Sequence, residues 1–283
     1  YLFSWLVDEK ENRIYLGPGR ADKVLVYDLK GNYLPDEVIR FGEIVHKSQI
    51  WVDYDKKNVV VVTLPFSANV NSNFVINKNV CWVQNRDGDI VHRIPVNHYG
   101  LIGDYSNALV ARRNVDAISF SISEIPMLRT RPDTLYHYDA VKNIITPRFT
   151  IDHVVSENQS ASTVLYETSR SYWAYVTLYP NDISSSAFSV RLTTFNVCVS
   201  KKDGSVKRID RFTNDFLGLS YPFLTMRNGY VCISYDPLEL MDALDKVLTQ
   251  TDLELDVRKR ATDLRNSLHE NDNDILIIGK LKQ

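Results

Sequence analysis

Apolar and polar residues alternate along most of this chain, in short runs separated by turn residues. "WLVDEKENRIYLG" (5–17) and "IWVDYDKKNVVVV" (50–62) both read as strand, polar turn, strand. Asn12 and Asn58 stand just before the second strand of each pair, where a tight turn demands a positive φ that asparagine tolerates. A second turn type recurs. "VLVYDLKGNYL" (24–34), "CWVQNRDGDIVHRI" (81–94) and "CVSKKDGSVKRI" (198–209) each set Lys-Gly or Asp-Gly between alternating runs, and "LYHYDAVKNIITPRF" (135–149) is a looser copy with Asn143 in the turn.

The turns at 31, 88, 143 and 204 recur every 55 to 61 residues, a period that carries four short strands and belongs to propeller blades. The pattern predicts an all-β fold, a β-propeller in a single domain over 1–283. Five blades are visible, at about 1–45, 46–103, 104–155, 156–218 and 219–283.

The last blade carries a helical insertion at about 236–270. Asp236 is a cap acceptor, Pro237 takes the first helical position, and Glu239 follows three residues after the cap. Leu240, Leu244 and Val247 form an apolar stripe that packs on the propeller body. Thr251 and Glu254 predict a second capping box, followed by Leu253, Val257, Ala261, Leu264 and Leu268 at helical spacing. If the Leu253, Val257 and Leu264 stripe lay on the surface, it would instead mark a subunit interface. The run "DILIIGKLK" (274–282) then reads as a closing strand, 275–282. Its unmatched backbone needs a partner, predicted to be its own blade across the insertion and a strand near the N-terminus.

Composition excludes several classes. Lys+Arg 33 against Asp+Glu 35 leaves a net charge of −2, without the basic surplus of a nucleic-acid binder, so no nucleic-acid partner is expected. No run of eighteen apolar residues exists, so no transmembrane segment is expected. Cys81, Cys198 and Cys232 each sit in an alternating apolar run and read as small buried hydrophobes.

"DTLYHYDAVKNIITPRFTID" (133–152), "NGYVCISYDPLELMDAL" (228–244) and "LRNSLHENDNDILIIGKLK" (264–282) resemble the six-bladed β-propeller family abundant in gut Bacteroidetes. "NRIYLGPGRADKVLVYDLKGNYL" (12–34) also looks like one of its blades. In that family a helix, an Asn/Asp-rich turn and a strand ending in Lys-Leu-Lys close the chain. Asp274 stands where the family often has proline. The resemblance implies six blades, export to the cell envelope (periplasm or cell surface), and a lipid anchor on a cysteine upstream of Tyr1. It implies no defined biochemical role.

Catalytic chemistry has little support. His46, His92, His98, His137, His153 and His269 show no zinc-ligand spacing, and neither Cys-x-x-Cys nor Gly-x-Ser-x-Gly occurs. His92 and His137 read as strand residues facing solvent or a neighbouring blade. "LGPGRADK" (16–23) lacks the Lys-Ser/Thr and the helix of a phosphate loop. No cofactor is expected, calcium at the acidic turn Asn271–Asp274 being the one ion worth testing.

Propeller function resides in loops, and here they are unequal. The loops at 17–22, 65–79, 123–133 and 179–189 offer Arg20, Phe66, Asn71, Arg129, Arg131, Tyr179 and Asn181 to one rim. Aromatics mixed with amides and arginines suit a glycan or a protein partner. The expected function is therefore a non-enzymatic, exported binding or scaffold propeller. The alternative is a metal-dependent, lactonase-like hydrolase or lyase with carboxylates converging on a central channel. Asp8, Asp53 and Glu157 stand near blade starts.

Overall fold

A computed structural model of the chain describes residues 2–18, 20–46, 48–53, 57–63, 78–96, 99, 109–114, 117–122, 133–152, 156, 158–180, 192–224, 226–227 and 230–280. Their regular structure is a series of antiparallel meanders. The first sheet comprises β1 (Leu2–Asp8), β2 (Arg13–Pro18), β3 (Arg20–Asp28) and β4 (Ile39–His46). The second comprises β5 (Ser48–Asp53), β6 (Asn58–Thr63), β7 (Asn79–Gln84) and β8 (Ile90–Pro95). The third comprises β9 (Leu109–Asn114), β10 (Ala117–Ile122), β11 (Asp133–Asp139) and β12 (Ile144–Ile151). The fourth comprises β13 (Gln159–Glu167), β14 (Ser171–Pro180), β15 (Thr193–Ser200) and β16 (Val206–Ile209).

Next come a short hairpin of β17 (Phe212–Thr213) and β18 (Ser220–Tyr221), then β19 (Met226–Arg227) and β20 (Tyr230–Tyr235). Two helices follow, α1 (Pro237–Leu248) and α2 (Leu255–Ser267), before β21 (Ile275–Lys280). Four consecutive four-stranded meanders, each running in chain order, make this an all-β fold of the propeller type.

The chain divides into two compact units, Tyr1–Leu165 with Tyr179–Val190, and Tyr166–Leu178 with Arg191–Gln283. In the first unit the second sheet is covered on both faces. Along β6, Val59 and Val61 join Tyr15, Val24, Val26, Ile39 and Trp82 in one core. Val60 and Val62 point the other way, into a core with Cys81, Val83 and Tyr138. A strand buried on both faces must be apolar at every position, which is why 59–62 reads as four consecutive valines.

Polar groups stitch the sheets together. Gln84 is fully buried at the end of β7. Its side-chain oxygen accepts from the Trp82 indole N–H (2.8 Å) and the Gly42 N–H (3.3 Å). Its amide donates to the carbonyls of Arg40 (2.5 Å) and Asn85 (3.0 Å). The approach is so close that a Cβ on Gly42 would stand 2.3 Å from the Gly88 carbonyl oxygen. The next junction has the same logic. His92 Nε2 donates to the Ala140 carbonyl (2.7 Å), and Asn143 Nδ2 donates to the Arg93 carbonyl (3.2 Å). His92 thus faces the neighbouring blade, as its position beside a hairpin turn suggests.

The turns show one shift from expectation. Positive φ occurs at Asn12 (56°), Asn143 (56°) and Lys57 (55°), and at Gly31, Gly88 and Gly204. Asn58 is not the turn residue. The ladders pair Asp8 with Arg13, Asp53 with Asn58, and Asp139 with Ile144. Each four-residue loop therefore ends one position before its strand, and in the second sheet that position holds a lysine.

In the second unit, Asp236 caps α1 by accepting from the Leu238 N–H (2.9 Å). Leu240, Leu244 and Val247 are buried, as their spacing predicts. The second capping box is absent: α2 begins after Glu254, which makes no side-chain cap bond. The linker is held instead by Arg258, which donates to the carbonyls of Leu248 (2.8 Å) and Gln250. Arg265 clasps Asp245 with two bonds of 2.8 and 3.0 Å. Val257 is buried and Leu253 and Leu264 are half-buried, so this stripe packs inward rather than forming an exposed interface.

β21 pairs with β20 across the insertion, from Tyr230 opposite Lys280 to Tyr235 opposite Ile275. Among the described residues it has no second strand beside it, so the expected pairing near the N-terminus is not seen. Cysteine burial also departs from expectation. Cys81 is buried and Cys198 half-buried, but Cys232 is exposed, because alternate residues of β20 turn outward opposite Ile278. Among the described residues no helix is long and apolar enough to cross a membrane.

Two stability predictions follow from these junctions. Gln84→Leu leaves the Trp82, Gly42 and Arg40 groups unbonded and should cost roughly 2–4 kcal/mol in urea unfolding. Lys57→Asn relieves a left-handed lysine and should raise stability by about 0.5–1 kcal/mol in the same assay, with an unchanged denaturant slope.

Candidate functional site

The segment from Phe212 to Leu224 has little regular structure, and one side chain shapes its turn. Asn214 Oδ1 accepts from the N–H groups of Phe216 (2.8 Å) and Leu217 (3.1 Å). The Asn214 carbonyl accepts from Gly218 N–H (2.7 Å), and its own N–H donates to Leu219 (2.8 Å). Gly218 has φ 74° and sits against the helices: a Cβ there would stand 2.9 Å from Leu253 Cδ1 and 3.0 Å from Val247 Cγ1. Arg260 of α2 donates to the Phe216 carbonyl (2.9 Å) and lies 4.8 Å from the centre of its ring. The helical insertion therefore buttresses this turn.

The β13–β14 turn is fixed differently. Lys201 Nζ donates to Glu167 Oε1 (2.5 Å) and to the Thr168 carbonyl (2.7 Å), and lies 4.7 Å over the Tyr172 ring. Glu167 is buried, so this ammonium compensates a charge that would otherwise be costly. Thr168 and Ser171 close the hairpin with reciprocal bonds of 2.8 and 3.1 Å.

Between these two turns lies a cavity of about 620 Å³, with all its lining in the second unit. Its aliphatic floor is Leu224, Val231, Ile233 and Ile277. Trp173 and Phe212 form an aromatic wall with ring centres 5.8 Å apart and planes tilted by 43°. Arg170, Asn214 and Asp215 bring polar groups to it. Size and lining fall in the range of small-ligand sites.

Tyr221 packs at the border of this cavity. It is 7% exposed and lines the cavity, and its hydroxyl has no hydrogen-bond partner. The Tyr235 and Asn214 side chains lie close enough to act on its ionisation, and the hydroxyl oxygen is closed off from solvent. Burial pushes the phenol above its ordinary value, and the Tyr235 phenol pushes it further.

A second cavity of about 600 Å³ lies in the first unit, lined among others by Trp51, Asp53, His137, Asp139, Lys142 and Arg148. Its charges are largely engaged. Asp139 accepts from the N–H groups of Val141 (3.0 Å) and Lys142 (2.9 Å), which holds its carboxyl below the usual range, and pairs with Lys142 Nζ at 3.6 Å. Arg148 Nε donates to His137 Nδ1 (3.2 Å).

Of the loop residues named from the sequence, Phe66, Asn71, Arg129, Arg131 and Asn181 lie outside the described residues, as does Glu157. Arg20 opens β3 opposite His46, and Tyr179 is half-buried near the end of β14. Tyr179 lines neither cavity described above. Asp8 accepts from the Glu11 N–H (3.1 Å) in a turn, and Asp53 lines the cavity of the first unit. Among the described residues no three His, Cys, Asp or Glu side chains are grouped as metal ligands. The second-unit cavity was not foreseen, because its walls come from four stretches spread over 168–279.

No known family profile and no curated protein matches this chain. Among solved structures it is similar to a Bacteroides fragilis protein named only as a candidate exported protein, with a TM-score of 0.58 and 15% identity over 99% of this chain and 77% of that one. It also resembles the hydrazine synthase of Kuenenia stuttgartiensis (TM-score 0.47, 15% identity, 94% and 72%) and an endo-arabinase of Bacteroides thetaiotaomicron (TM-score 0.37, 10% identity, 99% and 93%). The first of these likenesses is one of fold, and the other two are too distant to carry an argument.

The unpartnered Tyr221 hydroxyl has measurable consequences. Removing it spares the free protein a desolvation cost, so Tyr221→Phe should be neutral or stabilising by up to about 1 kcal/mol. A phenol with a raised folded pKa keeps its proton after the unfolded chain has lost it, so its stabilising contribution is complete below about pH 10 and declines above it. Thermal midpoints taken across pH 8 to about 11 should fall less steeply in Tyr221→Phe than in the parent chain.

Proposed function

We propose that this chain is a non-enzymatic binding propeller of the cell envelope, and that the cavity of its second unit is where it holds its ligand, a glycan or a group carried on one. The carrying observation is the cavity itself, about 620 Å³ in volume, with Trp173 and Phe212 as its aromatic wall and Arg170 and Asn214 among its polar lining. Stacking against aromatic rings with a few placed polar groups is how carbohydrate-bearing ligands are held in water. The rigid turns on either side, one buttressed by the helices and one pinned by Lys201, give the site the pre-organisation that binding requires.

Export and an envelope location belong to the same proposal. They are supported by the fold likeness to the Bacteroides fragilis protein and by the resemblance of residues 133–152, 228–244 and 264–282 to the six-bladed propellers of gut Bacteroidetes. The same resemblance supports a sixth blade and a lipid anchor. The uneven loops bearing Arg20, Phe66, Asn71, Arg129, Arg131, Tyr179 and Asn181 are the surface we assign to a protein partner.

Thermal unfolding of chelator-treated protein tests the reading. A bound oligosaccharide at about a hundred times its Kd adds roughly 2.7 kcal/mol, a rise of several degrees for a chain this long. That rise is expected with plant or host oligosaccharides, without cleavage, and no rise is expected with millimolar calcium. A calcium-dependent rise, or release of cleaved sugar, would favour the hydrolase instead.

A further inference from the structure

The floor of the second-unit cavity and its polar side call for different chemistry. The floor is aliphatic, formed by Leu224, Val231, Ile233 and Ile277, and the Trp173 and Phe212 rings stand with it, their centres 5.8 Å apart. A bare sugar ring carries hydroxyls around its whole edge. Against this floor several of those would lose water without gaining a partner. An alkyl or acyl chain has no such penalty and gains by leaving water.

The charge offered on the polar side is positive. Arg170 is exposed and lines the cavity, and its guanidinium bonds no side chain or carbonyl among the described residues. Its backbone is fixed all the same. The Arg170 carbonyl accepts from the Lys201 N–H (2.9 Å), on the residue whose ammonium pins Glu167 and Thr168. That ammonium is committed to Glu167, and Asp215, the one carboxylate of the lining, already has an interaction. A second guanidinium, that of Arg260, lies 4.8 Å from the ring centre of Phe216, another lining residue. The group this side of the cavity lacks is an anion, and a planar carboxylate matches a guanidinium best.

We propose that the cavity recognises an apolar chain that carries a carboxylate, with the chain on the aliphatic floor and against Trp173 and Phe212, and the carboxylate at the Arg170 guanidinium. A neutral sugar satisfies neither end. An unsubstituted acidic sugar satisfies only Arg170, and an uncharged chain satisfies only the floor. The carboxylate is that of an acidic sugar bearing an alkyl or acyl group, or that of a free aliphatic acid. This rests on the reading of the cavity as the binding site, and names the part of the ligand it grips.

The test is titration of the full chain, followed by calorimetry and Trp fluorescence, with octyl glucuronide, octyl glucoside and octanoate below their micelle-forming concentrations, and with unsubstituted cellotetraose and tetragalacturonate. Octyl glucuronide should bind, and octyl glucoside, with a hydroxymethyl in place of the carboxylate, should bind about tenfold more weakly. Octanoate as tight as the glucuronide would make the recognised group a free acid, and octanoate about tenfold weaker would place it on a glycan. Arg170→Gln, at an exposed position, should lose about tenfold towards the glucuronide and little towards the glucoside, a pattern that a folding defect would not produce. The change in Trp emission on binding should vanish in Trp173→Phe, and a change that persists there would place the chain elsewhere and overturn the proposal. Equal affinity for glucuronide and glucoside, or equal loss of both in Arg170→Gln, would overturn the role given to the guanidinium. Binding of an unsubstituted oligosaccharide without binding of any octyl compound or octanoate would overturn the inference and leave the glycan reading intact. Binding of none of them would overturn both.

Discussion

The amide of Gln84 makes it possible for the first two sheets to lie face to face at close range. Stacked sheets leave edge carbonyls and N–H groups pointing into a space that excludes water, and each must find a partner. Gln84 supplies an acceptor to Gly42 and Trp82 and a donor to Arg40 from a single side chain. With those groups bonded, nothing but apolar side chains needs to fill the rest, and β6 does so with valines on both faces. The next junction reaches the same end with His92 and Asn143, acting from the outer strand of one sheet and a turn of the next.

The second unit solves a different problem. After β16 the chain has only two-residue strands until β20, too few backbone pairs to hold its course alone. Stability there comes from the insertion. Val247, Leu253 and Val257 crowd Gly218, and Arg260 bonds and covers Phe216. The helices are thus the scaffold of an irregular segment, and that segment is one wall of the cavity. The insertion, whose apolar stripe the sequence predicts to be a packing face, also fixes one wall of the candidate site.

Much of the fold was legible in the residues. Glycines at 31, 88 and 204 marked hairpins because only a residue without Cβ takes those positive φ values cheaply, and Asp236-Pro237 marked a helix start because both geometries are local. The misreadings share a cause. Lys57 holds a left-handed position because the ladder, not the residue, sets where a four-residue loop ends. The start of α2 follows Arg258 reaching back to α1 rather than Thr251. Cys232 is exposed because its sheet has one open face, which alternation cannot reveal. The cavity was illegible for the strongest form of the same reason: Arg170, Trp173, Tyr221 and Ile277 are neighbours only once the chain has folded.

The candidate cavity is built on short turns, apart from the long loops to which a protein partner is assigned above. In the fourth sheet the β13–β14 and β15–β16 turns share one end, while the long β14–β15 connection leaves from the other. The cavity lies at the end with short, bonded turns. Short turns cannot wrap a ligand, but they hold side chains in place, and a site built on them gains selectivity from fixed polar groups. At Tyr221 a phenylalanine would pack as well and would spare the cost of a buried, unbonded hydroxyl. The hydroxyl's nearest polar neighbours are the Tyr235 and Asn214 side chains, which only the folded chain brings beside it.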